Sequence, residues 1–192
     1  RDQGTAADDI LKALNQGIEK ARTLFKQGEY ALPDFLLAIE AYRLGTDFLK
    51  KEIPGNASAD APRVVIGVVE GDVHDMGKNI VAAVLEASGY QVTNLGYNVS
   101  NEAFLEALET ISPEILALST MMSTTLDNMK ELIDQVRRFY PETLILIGGA
   151  PFDPDLARKM GADGYAENAI TIPDETRRVL TTSAARQLPP DS

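Results

Sequence analysis

The chain has 192 residues, 44% of them hydrophobic and 24% charged, which suits one ordinary α/β domain with a small appendage and excludes a disordered chain. Its net charge of −11 argues against nucleic acid as a partner, because phosphate binding needs Lys and Arg to release counterions. With no cysteine, disulfides, zinc ribbons and thiol nucleophiles are excluded, and the composition fits a reducing cytoplasm. No apolar stretch approaches the ~18 residues that span a bilayer and no signal-peptide pattern opens the chain, so no membrane is expected.

The first zone, to about Lys51, has helical periodicity. Ile10, Leu11, Leu14, Ile18, Ala21 and Phe25 recur at spacings of three and four, and Gly28 breaks the helix. Pro33 then stands where a first helical turn tolerates proline, followed by Leu36, Leu37, Ile39, Ala41, Leu44 and Phe48. Two helices cannot enclose a core, so they pack on the next domain or further helices precede Arg1. The stretch IPGNASADAP at 53–62 has linker composition and no periodicity.

From Arg63 strands and helices alternate. The apolar runs Val64–Val69, Ile115–Leu118 and Leu144–Ile147 lack polar alternation and predict buried parallel strands. Shorter strands are expected around Val92–Leu95 and Asp163–Tyr165. Helices are expected at Asn79–Ser88, Asn101–Thr110, Leu126–Phe139, Pro154–Met160 and from about Pro173 to Thr182. This pattern predicts a doubly wound, flavodoxin-type (Rossmann-like) sheet of five parallel strands in the order 2-1-3-4-5. The expected division is a helical cap at 1–53, a linker at 54–62, the α/β domain at 63–183 and a flexible tail at 184–192.

In such sheets ligands bind at the carboxyl ends of the strands. The loops there carry Gly71-Asp72-Val73-His74-Asp75-Met76-Gly77, then Ser119 to Thr125, then Gly148-Gly149-Ala150, then Tyr165-Ala166-Glu167-Asn168. His74 is the single histidine, so chemistry needing two imidazoles cannot occur within one chain. A carboxylate two residues away can fix the imidazole tautomer and make its other nitrogen a better metal ligand. Gly77 is expected to let the chain turn into the next helix, and the small residues at 119, 123, 148 and 149 leave space for a flat, long ligand. The same Asp-x-His pair also suits a hydrogen-bonded loop histidine with no metal. Spacing alone leaves both open.

Asp72-x-His74-x-x-Gly77, Ser119-x-Met121 and Gly148-Gly149 resemble, in order and spacing, the cobalamin-binding signature D-x-H-x-x-G, S-x-L, G-G. Methionine synthase, corrinoid methyl carriers and cobalamin-dependent mutases share that signature, and the likeness extends along the run GDVHDMGKNIV at 71–81. The resemblance implies that the cofactor's dimethylbenzimidazole leaves cobalt for a slot running into the sheet. His74 then becomes the lower axial cobalt ligand and Asp72 its proton-linked partner. Thr125 falls where methionine synthase has a Ser completing a ligand triad. By the same resemblance Ser119, Met121, Ser123, Thr124, Gly148, Gly149 and Ala150 line the slot, with Tyr165, Ala166 and Asn168 near its mouth. Gly71, Val73, Asp75, Met76, Gly77 and Ile80 surround the ligand loop. Met121 replaces the usual Leu and preserves an apolar wall.

Leu24-Phe25-Lys26-Gln27-Gly28-Glu29-Tyr30-Ala31-Leu32-Pro33 is similar to the L-F-x-x-G-x-x-x-L-P pattern of the cap in methionine synthase and methyl carriers. It implies that Phe25, Leu32, Phe35 and Leu36 shield a cobalt-bound methyl, although helix-packing core is the other role open to them. Arg22 departs from the pattern, since carriers commonly have Gly there. The resemblance implies a corrinoid methyl carrier that is not catalytic alone, cycling cobalamin through its methylcobalamin, cob(I)alamin and hydroxocobalamin forms. Its implied partners are a substrate-specific methyltransferase, a methyl-acceptor methyltransferase using tetrahydrofolate or a thiol, and a reductive activase. Two other readings share parts of the pattern. The cobalamin subunit of an adenosylcobalamin mutase has no reason to carry the cap, and a cobalamin-based light or redox sensor usually has a Trp and a DNA-binding domain absent here.

Overall fold

The computed structural model describes residues 2–52, 61–169 and 171–187. Residues 54–60 of the expected linker and 188–192 of the expected tail lie outside the described residues. Two helices open the chain, α1 (Asp2–Lys26) and α2 (Leu32–Glu52). Gly28 ends α1 at φ +77°, a backbone geometry that costs a residue without Cβ least. Asp34 then holds the start of α2 by accepting the Ala31 N–H at 2.9 Å.

The rest alternates as β1 (Arg63–Val68), α3 (Met76–Ala87), β2 (Gln91–Asn94), α4 (Asn101–Ile111), β3 (Ile115–Ser119), α5 (Leu126–Phe139), β4 (Leu144–Gly148), α6 (Pro154–Met160), β5 (Gly164–Ala166) and α7 (Ile172–Gln187). The sheet order is β2-β1-β3-β4-β5, with every pair parallel, as the strand pattern predicts. Alternate residues of each strand supply the two layers of core. Val64, Ile66, Ile115, Ala117 and Leu146 join Val84, Leu85 and Val179 on one face. Val65, Leu116, Leu118, Ile145 and Ile147 join Phe104, Leu132, Ile133 and Val136 on the other. Burial on both faces is why these strands read as unbroken apolar runs.

The α1–α2 hairpin packs on the first of these faces, where Ile18, Ala21, Phe35, Ile39 and Tyr42 enter the same apolar cluster as α3 and α7. Of the two possibilities for the hairpin, packing on the next domain is therefore realised. Among the described residues, no helix is long and apolar enough to cross a membrane.

One element departs from expectation in a way that bears on function. α3 begins at Met76, three residues before the predicted start, because the Asn79 N–H already bonds the Asp75 carbonyl at 2.8 Å. Gly77 thus lies inside the helix with no positive φ. It makes no turn, contrary to its expected role. A Cβ at Gly77 would meet nothing within 4 Å, so this glycine leaves open space beside the loop instead.

Candidate cofactor site

The register of the sheet assembles the site. Ser119 ends β3 level with Val68 of β1 and Gly148 of β4, so the loops after these three strands leave the same edge together. The β1 loop turns at Gly71, with φ +88°. Asn98, in the loop after β2, braces that turn: its Oδ1 accepts the Gly71 N–H at 2.8 Å and its own N–H donates to the Asp72 carbonyl at 3.0 Å.

Held in this way, the Asp72 carboxylate is fully buried and accepts four hydrogen bonds, two on each oxygen. Oδ1 receives the His74 backbone N–H at 2.9 Å and His74 Nδ1 at 2.7 Å. Oδ2 receives the Met121 backbone N–H at 2.6 Å and the Thr120 hydroxyl at 2.7 Å. Burial by itself pushes a carboxyl pKa up, but the bonds from Thr120, His74 and Met121 overcome it and bring Asp72 down to about 2. Asp72 is therefore ionised at neutral pH and can only accept. That fixes the tautomer of a neutral imidazole: Nδ1 carries the proton and Nε2 the lone pair.

The His74 side chain is 58% exposed while its carboxylate partner is 0% exposed, so the ring stands on a rigid base and presents Nε2 to the outside. Val73 and Met76, close in sequence to His74, and Met121, whose N–H bonds Asp72, have apolar side chains exposed at 62%, 78% and 49%. Loops that carry the imidazole and its carboxylate partner thus also present exposed apolar side chains, a combination that suits ligand binding. Among the described residues, no three His, Asp or Glu side chains gather into a metal cage. A metal at Nε2 would have to bring its other ligands with it, as a metal in a flat macrocycle does.

The second half of the site is narrow backbone. Gly149, at φ +126°, approaches the β3 loop so closely that a Cβ there would stand 1.7 Å from the Thr120 carbonyl oxygen. No other residue fits. Gly148 is less strict, its ideal Cβ lying 3.2 Å from the Ala166 carbonyl. The paired glycines thus seat Thr120 as well as keeping the edge open.

Sequence reasoning named Asp72, His74 and the loops around them, and these do come together. Thr125 is buried, but its hydroxyl meets Thr120 Oγ1 at 2.6 Å and the Met122 carbonyl at 2.9 Å, with Thr120 standing between it and Asp72. Ser119 and Ile80 are half-buried, Ala166 is buried, and Asp75, Ser123, Thr124 and Ala150 sit along the rim. Tyr165 gives its hydroxyl proton to the Phe152 carbonyl at 3.0 Å, and Asn168 Oδ1 accepts the Thr171 N–H at 3.2 Å ahead of α7. Both secure the far loops. Phe25 and Phe35 stack with centroids 5.2 Å apart inside the shared hairpin cluster; Leu36 packs beside them and Leu32 is exposed.

Four residues were missed, the bracing Asn98 among them. Thr120 is another. Lys78 is buried, donating to Asn79 Oδ1 at 2.5 Å and Asn94 Oδ1 at 2.6 Å, and burial lowers its pKa while Asp75 opposes the change. It ties the first turn of α3 to the end of β2. Tyr97, 55% exposed, stands next to the bracing Asn98. An aromatic residue between Gly96 and Asn98 in a strand-end loop was the available signal for it.

Residues 62–173 match the model of the B12 binding domain, which spans more than half of the chain. The chain belongs to the B12-binding family. Its cofactor is cobalamin. This B12-binding protein is 37% identical over 174 residues to dimethylamine corrinoid protein 1 of Methanosarcina acetivorans, covering 89% of this chain and 82% of that one. A cobalamin-binding protein of Desulfitobacterium hafniense is similar in structure, with TM-score 0.73, 32% identity and coverage of 91% and 83%. The methanol:cobalamin methyltransferase complex MtaBC of Methanosarcina barkeri is similar at TM-score 0.81 and 29% identity, covering 96% of this chain and 73% of that one.

Proposed function

We propose that this B12-binding protein is the methyl-carrying corrinoid component of a multi-component methyltransferase, holding cobalamin through His74 with the cofactor's own dimethylbenzimidazole displaced. The observation that carries the reading is the imidazole itself: Nδ1 held at 2.7 Å by a fully buried carboxylate, on a ring side chain that is 58% exposed. Cobalamin supplies a cobalt centre able to accept a methyl group from one partner's substrate and yield it to another's acceptor. The chain's own part is binding and orientation. Asp72 holds the Nδ1 proton and fixes the ring; Val73, Met76 and Met121 exclude water around Nε2; Gly77 leaves room beside it. The relatives named for dimethylamine and for methanol support a methyltransferase setting. In that setting the partners are a substrate methyltransferase, an acceptor methyltransferase and a reductive activase.

The test is reconstitution with hydroxocobalamin. Wild-type protein should bind it with imidazole ligation and transfer methyl groups in the presence of a methyltransferase partner. His74→Ala should lose the cofactor or bind it without imidazole. Unchanged imidazole ligation in that variant, or refusal of corrinoids by the wild type, would contradict the reading.

A further inference from the structure

We infer that Thr120 is a positioning residue for the His74 ligand, acting through Asp72, and that Thr125 stands one hydrogen bond further back. This rests on the reading of His74 as the cobalt ligand and adds which side chain steers it. Of the four donors to Asp72, two are backbone N–H groups and one is the imidazole, so Thr120 is the single further side chain that holds the carboxylate. Its hydroxyl has one proton. It is aimed at Asp72 Oδ2, 2.7 Å away, with the Met122 carbonyl farther off at 3.3 Å, and Thr120 Oγ1 in turn accepts the Met122 N–H at 3.1 Å. Thr125 can give its own proton to Thr120 Oγ1 or to the Met122 carbonyl, and either choice leaves the Thr120–Asp72 bond intact.

The position is also sealed. Asp72 and Thr120 are both 0% exposed and Thr125 5%, so water does not readily replace a missing hydroxyl. The Thr120 backbone is itself closely packed: its N–H donates to the Gly148 carbonyl at 3.2 Å, and Gly149 lies so near that an added Cβ would stand 1.7 Å from the Thr120 carbonyl oxygen. With Oδ2 pinned by Thr120 and Met121, the carboxylate plane is set and Oδ1 meets Nδ1–H squarely. A methyl group in place of the hydroxyl would stand at the present 2.7 Å from Oδ2, well inside the roughly 3.3 Å at which carbon and oxygen touch, so the carboxylate must turn.

The experiment uses the full chain labelled with nitrogen-15 histidine, loaded with cobalamin and reduced to the cobalt(II) state, where a histidine ligand splits the cobalt electron-spin resonance into a doublet and the cofactor's own benzimidazole would give a triplet. In wild type the histidine-ligated form should dominate. Thr120→Val should lower the ratio of histidine-ligated to unligated centres by about tenfold, the scale of one hydrogen bond to a charged group. Thr120→Ser should restore the ratio to within about twofold, and Thr125→Val should shift it by less than about threefold. If the valine variant does not fold, Thr120→Ala removes the hydroxyl without the clash and should move the ratio in the same direction. A wild-type ratio in both Thr120→Val and Thr120→Ala, or a larger loss in Thr125→Val than in Thr120→Val, would overturn the assignment while leaving His74 as ligand. Absence of histidine splitting in wild type would sink both.

Discussion

The ligand loop and the helical hairpin are built on opposite plans. The Asp72 carboxylate is fully buried and accepts four hydrogen bonds from the loops after β1 and β3, with Gly149 after β4 packed close against Thr120, so the arrangement tolerates little displacement. The hairpin leaves Leu37, Leu44 and Phe48 of α2 exposed at 71%, 57% and 62% and joins the α/β domain through one apolar cluster and a surface ion-pair group. Lys26 and Arg22 of α1 reach Asp174 of α7 at 2.5 and 3.5 Å. The tightest packing surrounds the carboxylate that holds the imidazole, and the weaker attachment falls on the hairpin.

The contrast can be broken most severely at Gly149. Gly149→Ala forces a Cβ against the Thr120 carbonyl at a positive φ, and overpacking with backbone strain should cost about 4 kcal/mol. Chemical denaturation should show the loss, with cofactor binding abolished in whatever remains folded. A near-neutral result would mean that the loop site is not the rigid half.

Phe35→Ala acts on the other half. It removes a side chain only 2% exposed that stacks on Phe25, and should cost about 3 kcal/mol, the low end for such truncations. Hydrogen exchange should then rise along α1 and α2 while amides of β1 and β3 keep their protection. Equal loosening of both regions would remove the distinction between them.

The smallest effect belongs to the ion pairs. The Lys26 hydrogen bond lowers the Asp174 pKa; partial burial opposes this, and the nearby Lys26, Arg22 and Arg177 charges add to the lowering. A carboxylate with a lowered folded-state pKa stabilises the hairpin at pH values above its ordinary range. That contribution disappears as the pH falls through the lowered value. Because the pair is surface-exposed, Asp174→Asn should cost under about 1 kcal/mol, and less in high salt. Proteolysis of the hairpin at neutral pH should be slightly faster in the variant, with the difference vanishing in acid. A difference that grew in acid would contradict the assignment.

Much of this was legible in the sequence. β1, β3 and β4 are buried on both faces and so read as unbroken apolar runs, and the loops that follow them had to share an edge once the sheet was parallel. Asp72 and His74 lie two residues apart, so their contact was local and readable. Thr120 was not, because its bond to Asp72 spans 48 residues and depends on the β1–β3 register placing Ser119 beside Val68. Lys78 was hidden for a similar reason: a lysine in a helix reads as solvated until a neighbouring strand supplies Asn94 to receive it. The helical placement of Gly77 followed from a backbone bond at Asp75, which composition does not encode.

The account stands on Nε2 of the single histidine reaching cobalt, and isotope substitution tests this directly. Protein labelled only with nitrogen-15 histidine, loaded with cobalamin of natural isotope content and reduced to cobalt(II), should show the axial nitrogen splitting change from a triplet to a doublet. A triplet that survives the label would mean that the cofactor's own benzimidazole still holds the metal, and His74 would lose its assigned role.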